Sequence, residues 1–378
     1  MKNGEILYCG EYTGFAGGIE RFAFQTALCL RKAGWHVGWC GRRGDRNEAL
    51  FRSGFDTVQT VENALEQTRG YDLVVLHKVP DLEILNRMRE RFGGRLVFLA
   101  HDHDLYCPRR HYYTPFGRIN CHRAYDSCLC PLCARITSPR NWRGLKKHQS
   151  ALLRELSGHH AAVLSSFMKN NLMRNGFREE LIHFLPPVIE TRTADRKTAD
   201  DGTLDILFLG QLIRGKGADL LLRALPLLSI PWRLTIAGDG NDRVMLEKLA
   251  ASLKIADRVH FMGWTENPDR CFAACDVAVF PSRWQEPFGL SGAEALAHGV
   301  PVVAFDTGGV REWLEDGVSG FAAPEKDLRA LADRLETLGR DGALRVKMGR
   351  AGMERMREHF APQCFLSAVE QLTEAVKR

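Results

Sequence analysis

The sequence predicts an α/β fold made of two similar halves, each with a mainly parallel sheet. Three observations predict it. Short apolar or β-branched runs alternate with amphipathic helical patterns along almost the whole chain, which is the signature of βαβ units. A polar, charged stretch, "VIETRTADRKTADDGT" at Val188–Thr203, interrupts that alternation and is poor in large apolar residues, as an interdomain linker is. Each half has a glycine-rich turn after its first strand: "GFAGGIE" in the first and "GQLIRGKG" in the second. With 378 residues, 45% of them hydrophobic, the chain can bury a core in each half. Two Rossmann-like domains facing one another would form an interdomain cleft, with ligands at the carboxyl ends of the strands.

The elements follow in order. Strands are predicted at Ile6–Gly10, His36–Cys40, Leu73–His77, Leu96–His101 and Ala162–Ser165. After the linker they resume at Ile206–Gly210, Arg233–Gly238, Val259–Met262, Val277–Pro281 and Val302–Phe305. Amphipathic spacing predicts helices at Glu20–Ala33 and Ala218–Leu228, and a last helix at Pro362–Lys377. The predicted domains are therefore 1–188, with a cysteine-rich insert near 107–133, and 204–360, joined by a linker at 189–203. The terminal helix, 361–378, is predicted without a docking partner, because its pattern shows an apolar face and not what covers it.

At 26% charged residues the composition is that of an ordinary soluble globular chain. No apolar run approaches the ~18 residues needed to span a bilayer, and the first residues lack a signal-peptide pattern. The expected location is the cytoplasm, including the inner face of the membrane, with the eleven cysteines reduced. The net charge is +6 overall. Between Leu105 and Ser150, nine Lys or Arg face one acidic residue, Asp126, a local net of +8. That basic stretch is either a solvated loop or a surface for an acidic partner such as anionic lipid, phosphorylated glycolipid or nucleic acid.

The chemistry concentrates in "SRWQEPFGLSGAEALAHGVPVVAFDTGG", Ser282–Gly309. Glu286 lies in a loop at a strand's carboxyl end. Glu294 lies in the first turns of a helix predicted to start near Leu290 and stop at Gly299. The N–H groups of Gly289, Leu290 and Ser291 at that helix start make an anion site, and a carboxylate on each side suits sugar and ribose hydroxyls. The competing reading is that Glu294 only complements the helix dipole and Glu286 is a solvated loop residue.

The stretch "EPFGLSGAEALAHGVPVVAFDTGGVREWLEDGVSGF" resembles the signature of the retaining sugar-nucleotide glycosyltransferases of the GT-B fold, family four. Its two glutamates have the family's E-x7-E spacing. "FAGGIERFAFQTALCLRKAGWHV", "DILFLGQLIRGKGADLLLRAL", "WRLTIAGDG" and "RVHFMGW" fall in the family's order. The resemblance implies that Glu286 sits near the donor sugar's hydroxyls and Glu294 on the ribose. The Phe288, Gly289 and Leu290 backbone would meet phosphates and sugar. Gly17 and Gly18 match the loop that approaches the diphosphate, where a Cβ would be in the way, and otherwise would make a plain tight turn. Lys216 matches the cation that neutralises the departing diphosphate. Two positions depart from the pattern: Gln211 stands where the family has arginine, and Gly215 where it has glutamate. Arg214 is the nearby candidate to replace the missing charge.

His101 matches a histidine that contacts the donor sugar from the first domain, and His77 ends the preceding strand in the same way. Asp102 and Asp104 form an Asp-x-Asp pair, a metal–diphosphate motif in the other large glycosyltransferase fold. Cys121, Cys128, Cys130 and Cys133 are candidate ligands of a structural zinc, since Cys130 and Cys133 have ligand spacing. The alternative is a set of unpaired thiols.

The resemblance implies an enzyme moving a hexose, with retention, from a nucleotide-diphosphate sugar to a glycan or lipid-linked acceptor in surface-polysaccharide or lipopolysaccharide assembly. It needs no catalytic cofactor, and its partners are the nucleotide sugar, the acceptor and an anionic membrane surface, with no nucleic acid. The rival readings are a sugar-nucleotide epimerase on the same fold and a non-catalytic sugar-nucleotide-binding protein.

Overall fold

The computed structural model describes residues 4–15, 17–41, 43–44, 47–67, 70–78, 81–109, 112–114, 119–135, 142–192 and 202–377, with the backbone alone at 43, 135 and 142–148. The chain divides into two compact units, 1–188 with 362–378, and 189–361.

The first unit holds a seven-stranded, all-parallel sheet. Its order across the sheet is Thr57–Gln59, His36–Cys40, Glu5–Cys9, Leu73–Leu76, Leu96–Ala100, Ala161–Val163, Ile182–Phe184. The chain winds outward one way from Glu5–Cys9 and then the other. The order therefore reverses between Glu5–Cys9 and Leu73–Leu76, whose residues pair from Ile6 with Leu73 to Cys9 with Leu76. The central strands read as apolar runs because both faces are covered. Leu7, Val74, Leu76 and Phe98 join Met88, Phe92 and Leu172 from the flanking helices in one core.

The second unit repeats the plan with six parallel strands: Val259–Gly263, Trp232–Ala237, Leu204–Leu209, Val277–Phe280, Val302–Phe305, Gly320–Ala323. Here the order reverses between Leu204–Leu209 and Val277–Phe280. Ile206, Phe208, Leu234, Val279 and Val303 form its core with Leu221, Leu331 and Leu335.

Several elements differ from the sequence expectation. The helix from Ala218 stops at Ala224 and tightens into a 3-10 turn, Leu225–Leu227. Pro226 has no N–H to continue the helix. Thr57–Gln59, Ile182–Phe184 and Gly320–Ala323 are additional strands of three or four residues, too short to show a period. Ile189 and Arg192 do not behave as linker: their N–H groups donate to the carbonyls of Phe360 at 2.8 Å and Ala297 at 3.1 Å. The rest of the predicted linker, 193–201, lies outside the described residues. The terminal helix, Pro362–Ala375, packs within the first unit, with Phe365, Val369 and Leu372 buried. Among the described residues, no helix is long and apolar enough to cross a membrane.

Candidate active site

Two loops leave the reversal point of the second sheet, where ligands bind in open α/β sheets. One is Gly210–Gly217, after Leu204–Leu209. The other runs from Pro281 to Gly289, after Val277–Phe280. Gly217 lets the first loop turn: its φ is +74°, and a Cβ there would stand 1.8 Å from the Pro281 carbonyl oxygen. Only glycine allows that approach. The tight turn brings Lys216 to Glu286. The Lys216 ammonium donates to Glu286 Oε1 at 2.7 Å and Oε2 at 2.8 Å. The Ser282 hydroxyl donates to Oε1 at 2.9 Å. With side chains 26% and 13% exposed, this is a largely buried pair that keeps some contact with solvent.

Three contacts hold the Glu286 loop. The Gly309 N–H donates to the Glu286 carbonyl at 2.7 Å. Trp313 Nε1 donates to the Phe288 carbonyl at 2.6 Å. Arg283 forms a buried two-point pair with Asp219 at 2.5 and 2.6 Å, and donates to the Arg214 carbonyl at 2.9 Å. A planar fork on a carboxylate fixes geometry as well as charge, so this pair locks the two loops together. Sequence reasoning missed it, because 64 residues separate the partners and no local pattern links them.

The other predicted residues take mixed positions. Gly289 caps the helix Leu290–Ala297 at φ +93°, with Leu290 in its first turn and Glu294, partly buried, one turn further on. A Cβ at Gly289 would approach the Phe280 ring to 2.8 Å. The Phe288 ring is buried against Phe360, 5.2 Å between centroids, and its carbonyl accepts from Trp313. It anchors the turn. Gln211 and Arg214 are exposed on the first loop. The absence of glutamate at Gly215 has a packing cause: a Cβ there would meet the Trp284 ring at 1.9 Å.

In the first unit, Gly17 and Gly18 are exposed at the start of the helix Gly18–Lys32. Gly17 has extended backbone, a Cβ on it would find an ordinary contact at 3.7 Å, and one on Gly18 would meet nothing within 4 Å. Neither glycine is required here by a positive φ or by a close backbone approach.

His101 follows the strand Leu96–Ala100, and His77 follows Leu73–Leu76. Their rings stack at 5.1 Å, with His77 Nδ1 2.9 Å from His101 Nε2. Burial pushes His101 down to about 3, although Asp102 pulls the other way. Burial and the neighbouring His101 also hold His77 well below the usual histidine range. Both rings are neutral at pH 7.

The Asp102–Asp104 pair does not stand open for a metal. The Lys78 ammonium donates to Asp102 at 3.0 Å and also to Asp104. Burial, then the hydrogen bond and charge of Asp102, push Asp104 up to about 7. Burial opposes ionisation of Asp102, but the hydrogen bond with Asp104 and the Lys78 charge outweigh it, leaving Asp102 well below the carboxylate range.

The zinc expectation for Cys121, Cys128, Cys130 and Cys133 is not met. Among the described residues, no group of three or more His, Cys, Asp or Glu comes together to hold a metal. Local backbone bonding sets where these thiols lie. Asp126 Oδ1 accepts the N–H groups of Cys128 at 2.7 Å and Leu129 at 2.6 Å, which starts the helix Leu129–Arg135. Cys128 is left exposed, and Cys130 Sγ accepts the Asp126 N–H at 3.3 Å. Residues 110–111, 115–118 and 136–141 of the basic stretch lie outside the described residues.

Residues 190–355 match the family model described as glycosyl transferases group 1. The chain is 35% identical over 201 residues to the D-inositol 3-phosphate glycosyltransferase of Pseudarthrobacter chlorophenolicus, covering 51% of this chain and 48% of that protein. It is 31% identical over 167 residues to the lipopolysaccharide core biosynthesis glycosyltransferase LpsE of Rhizobium meliloti, covering 44% and 48%. The chain thus spans about half the length of these curated relatives. The crystal structure of Anabaena HepE in complex with UDP superposes with a TM-score of 0.75 at 20% identity, covering 99% of this chain and 100% of that one. The Staphylococcus aureus TarM G117R mutant, in complex with fondaparinux, α-GlcNAc-glycerol and UDP, gives 0.73 at 12% identity, covering 98% and 99%. At those identities the likeness is one of fold. The chain has two parallel-sheet, Rossmann-like units matching the GT-B glycosyltransferase fold, and its residues 190–355 are similar to the group 1 glycosyl transferases.

Proposed function

We propose that the chain is a retaining glycosyltransferase that moves a sugar from a nucleotide-diphosphate sugar to a glycan or lipid-linked acceptor. The observation that carries this is the Lys216–Glu286 pair at the reversal point of the second sheet, close in sequence to the glycine-capped helix start at Gly289. A cation and a helix N-terminus together suit a diphosphate, and flanking carboxylates suit hydroxyls.

In this reading Glu294 holds the ribose and Glu286 the hydroxyls of the donor sugar. Lys216, Arg214 and the N–H groups of the Leu290 helix take the negative charge that grows on the departing diphosphate. Gly17, Gly18 and His101 are assigned to the donor by their match to the family pattern. The bond from the anomeric carbon to the phosphate oxygen breaks, and a bond to the acceptor oxygen forms on the same face. The acceptor's proton passes to the leaving phosphate. The protein contributes positioning and preorganised charge. Uridine is the first base to test, because HepE and the TarM mutant are described with UDP. A lipopolysaccharide core acceptor is favoured by the name of LpsE, and the basic stretch 105–150 favours an anionic surface.

The test is thermal shift of the purified chain with UDP-, GDP-, ADP- and dTDP-sugars, repeated with Glu294→Ala. Specific binding raises apparent stability by mass action. A shift with one nucleotide class, lost in the variant, is expected, and no shift with any class would sink the proposal. Retention is tested separately by NMR of the product's anomeric proton.

A further inference from the structure

His77 and His101 follow adjacent parallel strands, and their rings stack 5.1 Å apart. The 2.9 Å approach of His77 Nδ1 to His101 Nε2 requires one nitrogen to carry a proton and the other a lone pair. Burial of His77 and the facing His101 ring hold both groups below the usual histidine range, and with both rings neutral the pair has two arrangements. The far nitrogen of His77 distinguishes them. Nε2 of His77 is buried and has no hydrogen-bond partner among the described residues. The Tyr8, Phe22 and Trp39 rings pack around the His77 ring, at centroid distances of 4.4, 6.0 and 6.0 Å. A proton on His77 Nε2 would be an orphaned donor, which is rarer and more costly in protein interiors than an unused lone pair.

We infer that His77 carries its proton on Nδ1 and donates it to Nε2 of His101, and so fixes His101 as its Nδ1–H tautomer. His101 is then a hydrogen-bond donor and has no lone pair left to act as a base. His77 is a positioning residue: it acts through His101. Resting on the glycosyl transfer proposed above, the group that His101 meets must accept a hydrogen bond, and a hydroxyl oxygen of the donor sugar fits.

The test is a long-range 1H–15N correlation spectrum of the intact, 15N-histidine-labelled chain at pH 7.5, assigned with His77→Phe and His101→Asn. Both rings should show a protonated Nδ1 and a bare Nε2. In His77→Phe, which keeps a ring but has no donor, His101 should become a tautomer mixture. In His77→Asn, whose amide nitrogen takes the place of Nδ1, the Nδ1–H signature should persist. Transfer should fall about 10- to 100-fold in kcat for His77→Phe with KM little changed, and recover in part in His77→Asn. An Nε2–H signature on His101 in the unsubstituted chain overturns the inference, and needs no variant to fold. An unchanged His101 signature in His77→Phe overturns it too. If the tautomers are as stated but no nucleotide sugar binds, the proposed function fails and the tautomer assignment stands.

Discussion

Glu286 accepts three hydrogen bonds from two side chains, two from the Lys216 ammonium and one from the Ser282 hydroxyl. Its carboxylate is held in one place by charge before any ligand arrives. Glu286→Gln keeps the shape and removes the charge. It should lower transfer by about 10²–10³-fold while nucleotide-diphosphate affinity does not fall, because the Lys216 ammonium loses its competing carboxylate, which separates its sugar contact from the diphosphate grip. Gln211 is exposed beside this loop and carries no charge. Gln211→Arg should tighten nucleotide-diphosphate binding several-fold, since charge-assisted bonds are about twice as strong as neutral ones. Calorimetric titration of both variants checks the two outcomes. In the first unit, Asp104 is raised from 3.8 to about 7. The folded state therefore holds a proton that the unfolded chain has released. The stability this contributes is complete below about pH 4 and is lost as pH rises toward 7. Asp104→Asn should remove that loss, read as a smaller drop in urea midpoint between pH 5 and pH 8. The carboxylates were legible in the sequence because Glu286 and Glu294 sit at motif spacing. Lys78 was not, because its role depends on two strand ends meeting.

At the scale of elements, the loops are held by backbone contacts that only small residues permit. Gly215 lies under the Trp284 ring, so Gly215→Ala should destabilise the second unit by about 1–3 kcal/mol. Adding Trp284→Ala should relieve most of that cost, and denaturant unfolding of the single and double variants measures it. A motif comparison alone reads Gly215 as a lost glutamate. The packing reads it as a position that the tryptophan four residues before Phe288 has already filled. The cysteine segment shows the opposite case. The two-residue gap of Cys130 and Cys133 was visible, but the Asp126 cap and the helix it starts decide where the thiols point. Spacing lists candidate ligands, and only the backbone between them brings them together.

Over the whole molecule, the repeated glycine turn after each first strand announced two similar sheets, and both wind outward from their first strand in opposite directions. The terminal helix could not be placed from its pattern. In the structure it belongs to the first unit, where Cys29 Sγ approaches the Pro362 carbonyl at 3.9 Å and Lys377 reaches Asp72 at 3.9 Å. Removing 362–378 takes away the buried side chains Phe365, Val369 and Leu372, each contributing about 1.5–3 kcal/mol by burial. Hydrogen exchange should then speed up in the helix Gly18–Lys32 and stay unchanged in the second sheet. In the proposed function, Lys216, paired with Glu286, is the cation for a nucleotide diphosphate. The most direct measurement is calorimetric titration of UDP, GDP and ADP into the intact chain and into Lys216→Ala. One nucleotide should bind the intact chain and lose at least about tenfold in affinity in the variant, as removal of a charged contact predicts. Equal affinity in the two proteins, or no binding by either, would contradict it.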